Sequence, residues 1–470
     1  MALKQSFFDL LEHIGTTSTT SDLFHAKPDS NIVAMRHDVD HDLELALEMA
    51  HHEWKLGYKA TYYLLHTEQY WNDEKFPLLV RQLKEYGHEV GLHVNSYSTW
   101  ITGQCKDANL EIKNALERLR ECGVKVSGVC AHGDKLCYKH DFINYWMWKE
   151  LRGDNPEVTE EGMSAEGIRV NDEAYQIPYP TNHSLVREDG QSIPLWNFSM
   201  QEHGIDYDAA HLSQDFYWSD SGGQWTRTGS PMDSDLSNGR HQVLVHPWWW
   251  RGEPKSIFVM SPARSGSKWL ANFIDKATSA IGLHEWTLNH QREGNIFVKS
   301  NRTSKGFQSL LDDSKEVESR LKAARAHRIM QKRDVIECNV YTPSCMDAFA
   351  KILPDSIVLM LNRDSKEIVR SLVTRDWFET SIDLNHVQVE GVPWDQLNQL
   401  DKACAYVSAV KSEICQHSIL ELSFAQMLND PDYLPKKLSE LGIVVHPLLS
   451  VNLGSEVVNS NSKEVLNPIL

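Results

Sequence analysis

The residues with the most chemistry in them stand where apolar runs end. Arg36-His37-Asp38-Val39-Asp40-His41 follows one run, and His93, His132 and His246 each follow or close another. Carboxylates and imidazoles suit a divalent metal such as zinc, which takes nitrogen and carboxylate ligands and keeps a position open for water. A second carboxylate can then take the water's proton, and a histidine opposite can protonate a leaving amine. Chance alone puts some of the 22 histidines at such points, but four ends with matching chemistry argue for convergence. A second set differs in kind. Ser261-Pro262-Ala263-Arg264-Ser265-Gly266-Ser267-Lys268 opens a segment with Trp269, Leu270, Phe273, Ile274 and Ala277 at helical spacing. Backbone N–H groups at a helix N-terminus bind anionic oxygens, and Gly266 lets the chain approach closely. Arg264, Lys268 and the hydroxyls of Ser265 and Ser267 add charge and donors. The GxxxxGK[ST] pattern is missing, which disfavours ATP or GTP chemistry.

These residues need elements to position them. Strands are expected at 31–35, 60–65, 89–94, 125–131 and 242–245, and helices at 43–54, 76–86 and 110–122, with Gly57, Gly87 and Gly123 as helix stops. Repeated strand–helix units imply parallel strands with right-handed crossovers, hence a barrel or an open α/β sheet. In a parallel barrel the C-terminal strand ends form the active face, which would bring the acids and imidazoles together. Residues 150–240 read as long loops over that face. Residues 247–254 (PWWWRGEP) look like a junction, dividing the chain into domains 1–252 and 253–470. A new α/β pattern then begins, with a strand at 256–260, a helix at 268–280, and a second strand–helix unit at 357–362 and 366–375. The tail beyond Leu448 is polar and expected to be loosely held.

A length of 470 residues requires more than one core. The formal charge of −18 opposes non-specific binding to nucleic acid or an anionic membrane. Eight cysteines without a CxxC pair read as reduced thiols. The N-terminus lacks the apolar core of a signal peptide and no window is apolar enough to span a membrane, so a cytoplasmic soluble enzyme is the expectation.

Three motifs in order, Arg36-His-Asp-Val-Asp40, Lys59-Ala-Thr-Tyr-Tyr-Leu and Gly87-His-Glu-Val-Gly-Leu-His93, resemble the NodB-homology polysaccharide deacetylases (carbohydrate esterase family 4), in particular their branch with an RHDVD signature. The resemblance covers about residues 30–250. It implies a deformed (β/α) barrel, a bound divalent metal, hydrolysis of the acetamido group of an amino sugar, Asp38 as base, Asp40 and His93 as metal ligands, and His246 as general acid. Phe216-Tyr-Trp-Ser-Asp220 would line the sugar pocket. One departure concerns the metal: the HxxxH ligand pair lacks its second histidine, because Tyr97 stands there. His132 is the expected third ligand, with His37 or His41 in reserve.

In the second half, Arg363 at a strand end is followed eight residues later by Ser371. With the loop at 261–268 this resembles the sulfotransferase superfamily, over about residues 255–430. The resemblance implies a P-loop-like parallel-sheet α/β domain that uses PAPS as sulfuryl donor. Arg264, Ser265, Gly266, Ser267, Lys268 and Trp269 would hold the 5′-phosphosulfate, and Arg363 and Ser371 the 3′-phosphate. Arg264 stands where many members have lysine, and Lys268 would then supply the catalytic cation. Sulfuryl transfer also needs a base, for which His284, Glu285 and Glu337 are candidates. The basic stretch 320–333 is either a solvated helix face or a contact for an acidic substrate. Trp248, Trp249 and Trp250 either stack on sugars or pack the junction.

Together these readings describe a bifunctional enzyme that deacetylates an amino sugar and sulfates it, in the simplest case on the exposed amine. This resembles in architecture the animal heparan sulfate N-deacetylase/N-sulfotransferases. Alternatives are O-sulfation unrelated to the first domain, a first domain that only binds sugar, and a nucleotide kinase. The acceptor's identity and the oligomeric state stay open.

Overall fold

The computed structural model describes residues 3–152, 169–170, 173–174, 184–226, 228–294, 296–299, 306–379 and 387–449. The expected tail lies, but for Leu449, outside these residues. The chain divides into two compact units, the first from Leu3 to Arg251 and the second from Gly252 onward. Among the described residues no helix is long and apolar enough to cross a membrane.

The first unit is built on seven parallel strands: β1 (Ile32–Val39), β2 (Thr61–Leu65), β3 (Glu89–Val94), β4 (Gly128–Ala131), β5 (Tyr207–Asp208), β6 (Phe216–Ser219) and β7 (Arg240–Val245). Their order in the sheet is β6-β7-β1-β2-β3-β4-β5. That is the cyclic order of a barrel opened between β5 and β6. Barrel closure is not seen among the described residues, but the sheet curls strongly. Ala34, Tyr63, Cys130 and Tyr207 come from strands up to four places apart, yet they share one apolar cluster with Leu23 and Leu212. A hydroxyl network closes the inside of this curl at the N-terminal edge, where Thr20 Oγ1 lies 2.7 Å from the Tyr63 hydroxyl and 2.8 Å from that of Tyr207.

Local chemistry explains the crossover helices. Asp42 caps Leu43–Leu56 by accepting from the Leu45 N–H at 3.1 Å, and Gly57 ends it with φ 85°. Asp107 caps Ala108–Glu121 in the same way. Such caps satisfy donors that the first helical turn leaves open. Gly87 and Gly123 also have positive φ, the conformation that suits glycine at a helix end.

The second unit holds a five-stranded parallel sheet of β8 (Ser256–Met260), β9 (Ile281–His284), β10 (Val335–Asn339), β11 (Ile357–Asn362) and β12 (Leu420–Ser423), ordered β9-β10-β8-β11-β12. The three inner strands β10, β8 and β11 are buried along most of their length because both faces are covered. One cluster packs Leu270, Ile274, Leu434 and Leu438 on one side, and another packs Phe349, Ile368, Leu372 and Tyr406 on the other. β8 is central, and the chain leaves it first toward one edge and later toward the other. This is a topological switch point, where open α/β sheets form a crevice beyond the strand ends.

Candidate active sites

In the first unit, β1 extends through the motif that the sequence places after it, reaching Val39 rather than 35. Alternation along the strand then sorts the side chains. Arg36 and Asp38 point into the curl, whereas His37 points to the other face, where its Nε2 lies 2.7 Å from the buried Glu53. Tyr62 donates to the same carboxylate at 2.6 Å. His37 is therefore a structural partner of a helix, and it drops out as a reserve ligand. His41 stands at the rim, 54% exposed and 3.5 Å from Glu68.

Asp38, Asp40, His93, His132 and His246 meet at the C-terminal edge of the sheet. His93 Nε2 lies 3.2 Å from Asp40 Oδ1 and 3.6 Å from Asp38 Oδ2. His132 Nε2 is 3.9 Å from Asp40 Oδ1, and His246 Nε2 is 3.7 Å from Asp40 Oδ2. Burial opposes the charge on Asp40, but His93, His132 and His246 outweigh it and hold the carboxyl low. Asp38 is also buried, and Arg36, with His93 behind it, keeps it ionised. The Arg36 guanidinium donates through Nε to Asp38 Oδ1 at 2.8 Å and through Nη2 to Oδ2 at 2.6 Å. The same Nη2 also contacts Cys130 Sγ.

Asp40, His93 and His132 offer three donor atoms within 4.8 Å of one another. Tetrahedral zinc with bonds of about 2.1 Å sets neighbouring donors about 3.4 Å apart, close to the distances found. His93 Nδ1–H donates to Cys130 O at 2.9 Å, leaving the Nε2 lone pair facing Asp40. Among the described residues, buried Asp40 Oδ1 has no hydrogen-bond partner. Two lone pairs face to face call for a cation or a proton between them, so this donor set fits a divalent ion. Tyr97 does not contribute. It is buried against Phe142 and Phe198, its hydroxyl donates to Pro194 O at 3.4 Å, and burial raises its pKa.

His246 follows β7 and is held on its far side. Its Nδ1 lies 2.6 Å from Asp220 Oδ1, its backbone N–H donates to both Asp220 oxygens at 3.1 Å, and Trp250 Nε1 donates to Oδ2 at 2.6 Å. Burial works against the imidazolium, yet Asp220 prevails and lifts the pKa to about 9. Sequence reasoning placed Asp220 in a sugar pocket and missed this role. It also missed Arg36 as the partner of Asp38, although two residues apart on a strand means one shared face. Trp250 packs at this carboxylate, while Trp249 is exposed and Trp248 lies beside His41 with ring centroids 5.3 Å apart.

In the second unit the loop leaves central β8 and enters the helix Ser267–Ala277 through Gly266, whose φ is 93°. A Cβ there would run into the Phe424 ring, so only glycine fits. Arg264 also has a positive φ of 70°. The loop is tied to the second strand–helix unit from both sides. Arg363 Nη1 donates to the Arg264 carbonyl at 3.0 Å, and Arg264 Nε donates to Ser371 Oγ at 3.3 Å. Burial, then Arg375 and Arg363, lower the pKa of Arg264, as expected where guanidinium groups crowd together. Such a cluster next to helix N–H groups favours an anion with several oxygens.

Not every loop residue faces this anion position. The Ser265 hydroxyl is buried and donates to Pro262 O at 2.8 Å, so that residue offers only its backbone. Trp269 turns along the helix toward Phe273, with ring centroids 5.6 Å apart. Lys268 is exposed at the helix start. Ser267 Oγ lies 3.2 Å from His284 Nε2, and His284 lies 3.6 Å from Glu285. Burial, then Lys268, lower the pKa of His284, leaving a neutral imidazole beside the loop. Glu337 is otherwise engaged. It accepts from Thr287 N at 2.7 Å, Thr287 Oγ1 at 2.8 Å, Arg328 Nη2 at 2.7 Å and Asn339 Nδ2 at 2.6 Å. Those bonds remove it as a base. They also remove Arg328 as a substrate contact, and Arg320 is likewise spent, on Glu316 and the Leu288 carbonyl.

No known family model matches the chain, and no curated protein does. Among solved structures its neighbours are sulfotransferases. The sulfotransferase domain from the curacin biosynthetic pathway is 14% identical, with 42% of this chain and 77% of that chain covered and a TM-score of 0.29. A sulfotransferase of Mycobacterium tuberculosis H37Rv is 12% identical, with 44% and 72% covered and a TM-score of 0.28. One from Alicyclobacillus acidocaldarius is 13% identical, with 44% and 91% covered and a TM-score of 0.26.

Proposed function

We propose that the chain is a bifunctional carbohydrate-modifying enzyme. Its first unit removes the acetyl group from an N-acetylated amino sugar, and its second transfers a sulfuryl group from PAPS, in the simplest case to the amine so exposed. One arrangement in each unit supports this reading. In the first, Asp38, Asp40, His93, His132 and His246 converge from four strand ends. In the second, Arg264, Arg363 and Ser371 gather beside a helix N-terminus at the sheet's switch point.

In the first reaction Asp40, His93 and His132 would hold a divalent ion, which when bound supplies Lewis acidity to the carbonyl and to water. Asp38, kept ionised by Arg36, accepts the water's proton. His246, kept protonated by Asp220, delivers a proton to the leaving nitrogen. In the second reaction Arg363 and Ser371 hold the 3′-phosphate, while the backbone of 265–267 and Lys268 hold the phosphosulfate. The acceptor nitrogen attacks sulfur, the bond from sulfur to the bridging oxygen breaks with its electrons leaving on the phosphate, and His284 Nε2 takes the acceptor's proton.

Mass spectrometry of products from N-acetylated sugars with purified protein tests the whole. Added metal alone is expected to yield product lighter by one acetyl group, and PAPS is expected to add one sulfuryl group at nitrogen. Sulfate found only on a hydroxyl overturns the coupling, and no loss of acetyl overturns the first reaction.

The His284 assignment carries a pH signature. A base works deprotonated, so the acid limb of kcat/KM for the donor falls where His284 titrates in the free enzyme. Lys268→Met removes a positive charge that favours the neutral imidazole, so the pKa of His284 rises and the acid limb moves to higher pH. A limb that stays in place under this substitution removes His284 as the base.

A further inference from the structure

Metal-ligating histidines are usually oriented through their second ring nitrogen, which donates to a carboxylate or carbonyl. His93 follows this rule through Cys130 O. His132 does not: its Nδ1 is buried and has no hydrogen-bond partner among the described residues. Its ring meets His93 edge to face, with centroids 5.0 Å apart, a contact with little directional hold. Something else must set where Nε2 points.

The main chain is held instead. Asn144, fully buried in the turn Asn144–Met147, donates through Nδ2 to the His132 carbonyl at 2.9 Å and to Asn95 Oδ1 at 3.0 Å. Its Oδ1 accepts from the Tyr97 N–H at 3.2 Å. Asn95 in turn donates through Nδ2 to Asp134 Oδ2 at 2.9 Å, and its backbone N–H donates to His66 Nε2 at 3.0 Å. Asn95 follows His93 by two residues, and Asp134 follows His132 by two. The Asn95–Asn144 amide pair therefore clamps the loop after β4 to the loop after β3, the segments that carry the two histidines.

We propose that Asn144 is a positioning residue that fixes His132 as the third metal donor, doing through the backbone what a hydrogen bond at Nδ1 does elsewhere. The inference rests on the metal-dependent reading of the first unit. The helix Ser96–Ile101 joins the same clamp through its backbone, since the N–H at position 97 anchors the same asparagine.

The test is a double-mutant cycle on metal affinity, read by chelator competition and by the visible spectrum of the Co²⁺-loaded protein. Asn144→Asp keeps the shape and the acceptor for Tyr97 but loses both donated bonds, and Asn144→Leu loses everything. Each is expected to weaken metal binding about 10- to 100-fold and to alter the Co²⁺ bands. In a His132→Ala background the same substitutions are expected to change affinity little, because they act through a donor already gone. Equal losses with and without His132 would mean a merely structural role and overturn the proposal. So would unchanged affinity in folded Asn144→Asp, while Asp40→Ala still abolishes binding. If wild-type protein binds no divalent ion, the metal reading falls and takes the positioning role with it. Near-ultraviolet circular dichroism identifies any variant that fails to fold, and Asn144→Ser then supplies the smaller perturbation.

Discussion

Asp38→Asn is expected to lower the turnover of deacetylation by about 10²–10⁴-fold, the usual share of a general base. Asparagine keeps the size of the side chain and cannot accept the water's proton. It also leaves Arg36 buried without a counter-charge, because Asp38 takes two bonds from that guanidinium and both residues are nearly inaccessible. Breaking a buried pair on one side costs about 3–5 kcal/mol. Two effects thus travel together, and a second variant separates them. Arg36→Met with Asp38→Asn removes the lone charge, so thermal stability should recover much of the loss while turnover does not. Turnover that recovers along with stability would show that Asp38 matters only to the fold, and the assignment of a base would fail.

Arg363→Ala is expected to weaken binding of adenosine 3′,5′-bisphosphate by about 10- to 100-fold, as one charge-assisted hydrogen bond of about 1.5–3 kcal/mol to the 3′-phosphate disappears. Arg363 Nη1 also donates to the Arg264 carbonyl, so the substitution loosens a loop whose Arg264 and Gly266 sit at positive φ, and ordering that loop on binding adds to the loss. Arg363→Lys keeps the charge but not the planar fork, and should recover only part of the affinity. Isothermal titration calorimetry reads the effect, and the metal affinity of the first unit is the internal control. Bisphosphate affinity unchanged in folded Arg363→Ala would remove the arginine from the donor site.

The amino-acid sequence carried the elements well wherever a local signal existed. The glycines at 57, 87 and 123 stop helices because their positive φ is cheap only for glycine, and the apolar runs at 60–65, 89–94, 256–260 and 357–362 are strands. It read β1 as ending at 35, however, because Arg36, His37 and Asp38 look like a loop. The strand runs on through them because Arg36 pairs with Asp38 and His37 with Glu53, so each charge goes in with its partner. Burial of a charge depends on a neighbour that sequence spacing does not always name.

What the sequence determined by itself was which residue types stand at the ends of which strands, since composition, alternation and caps act over a few neighbouring positions. That placed Asp38, Asp40, His93, His132 and His246 at strand ends and put Gly266 at a helix entrance. Only the tertiary structure decided which of these side chains meet and which are spent elsewhere. Asp220 was seen as pocket lining until strands β6 and β7 lay side by side, and Glu337 was a candidate base until Arg328, Thr287 and Asn339 closed around it. The order of strands in a sheet, and the face to which each side chain turns, join residues as far apart in the chain as Asp40 and His246, and no local pattern encodes that pairing.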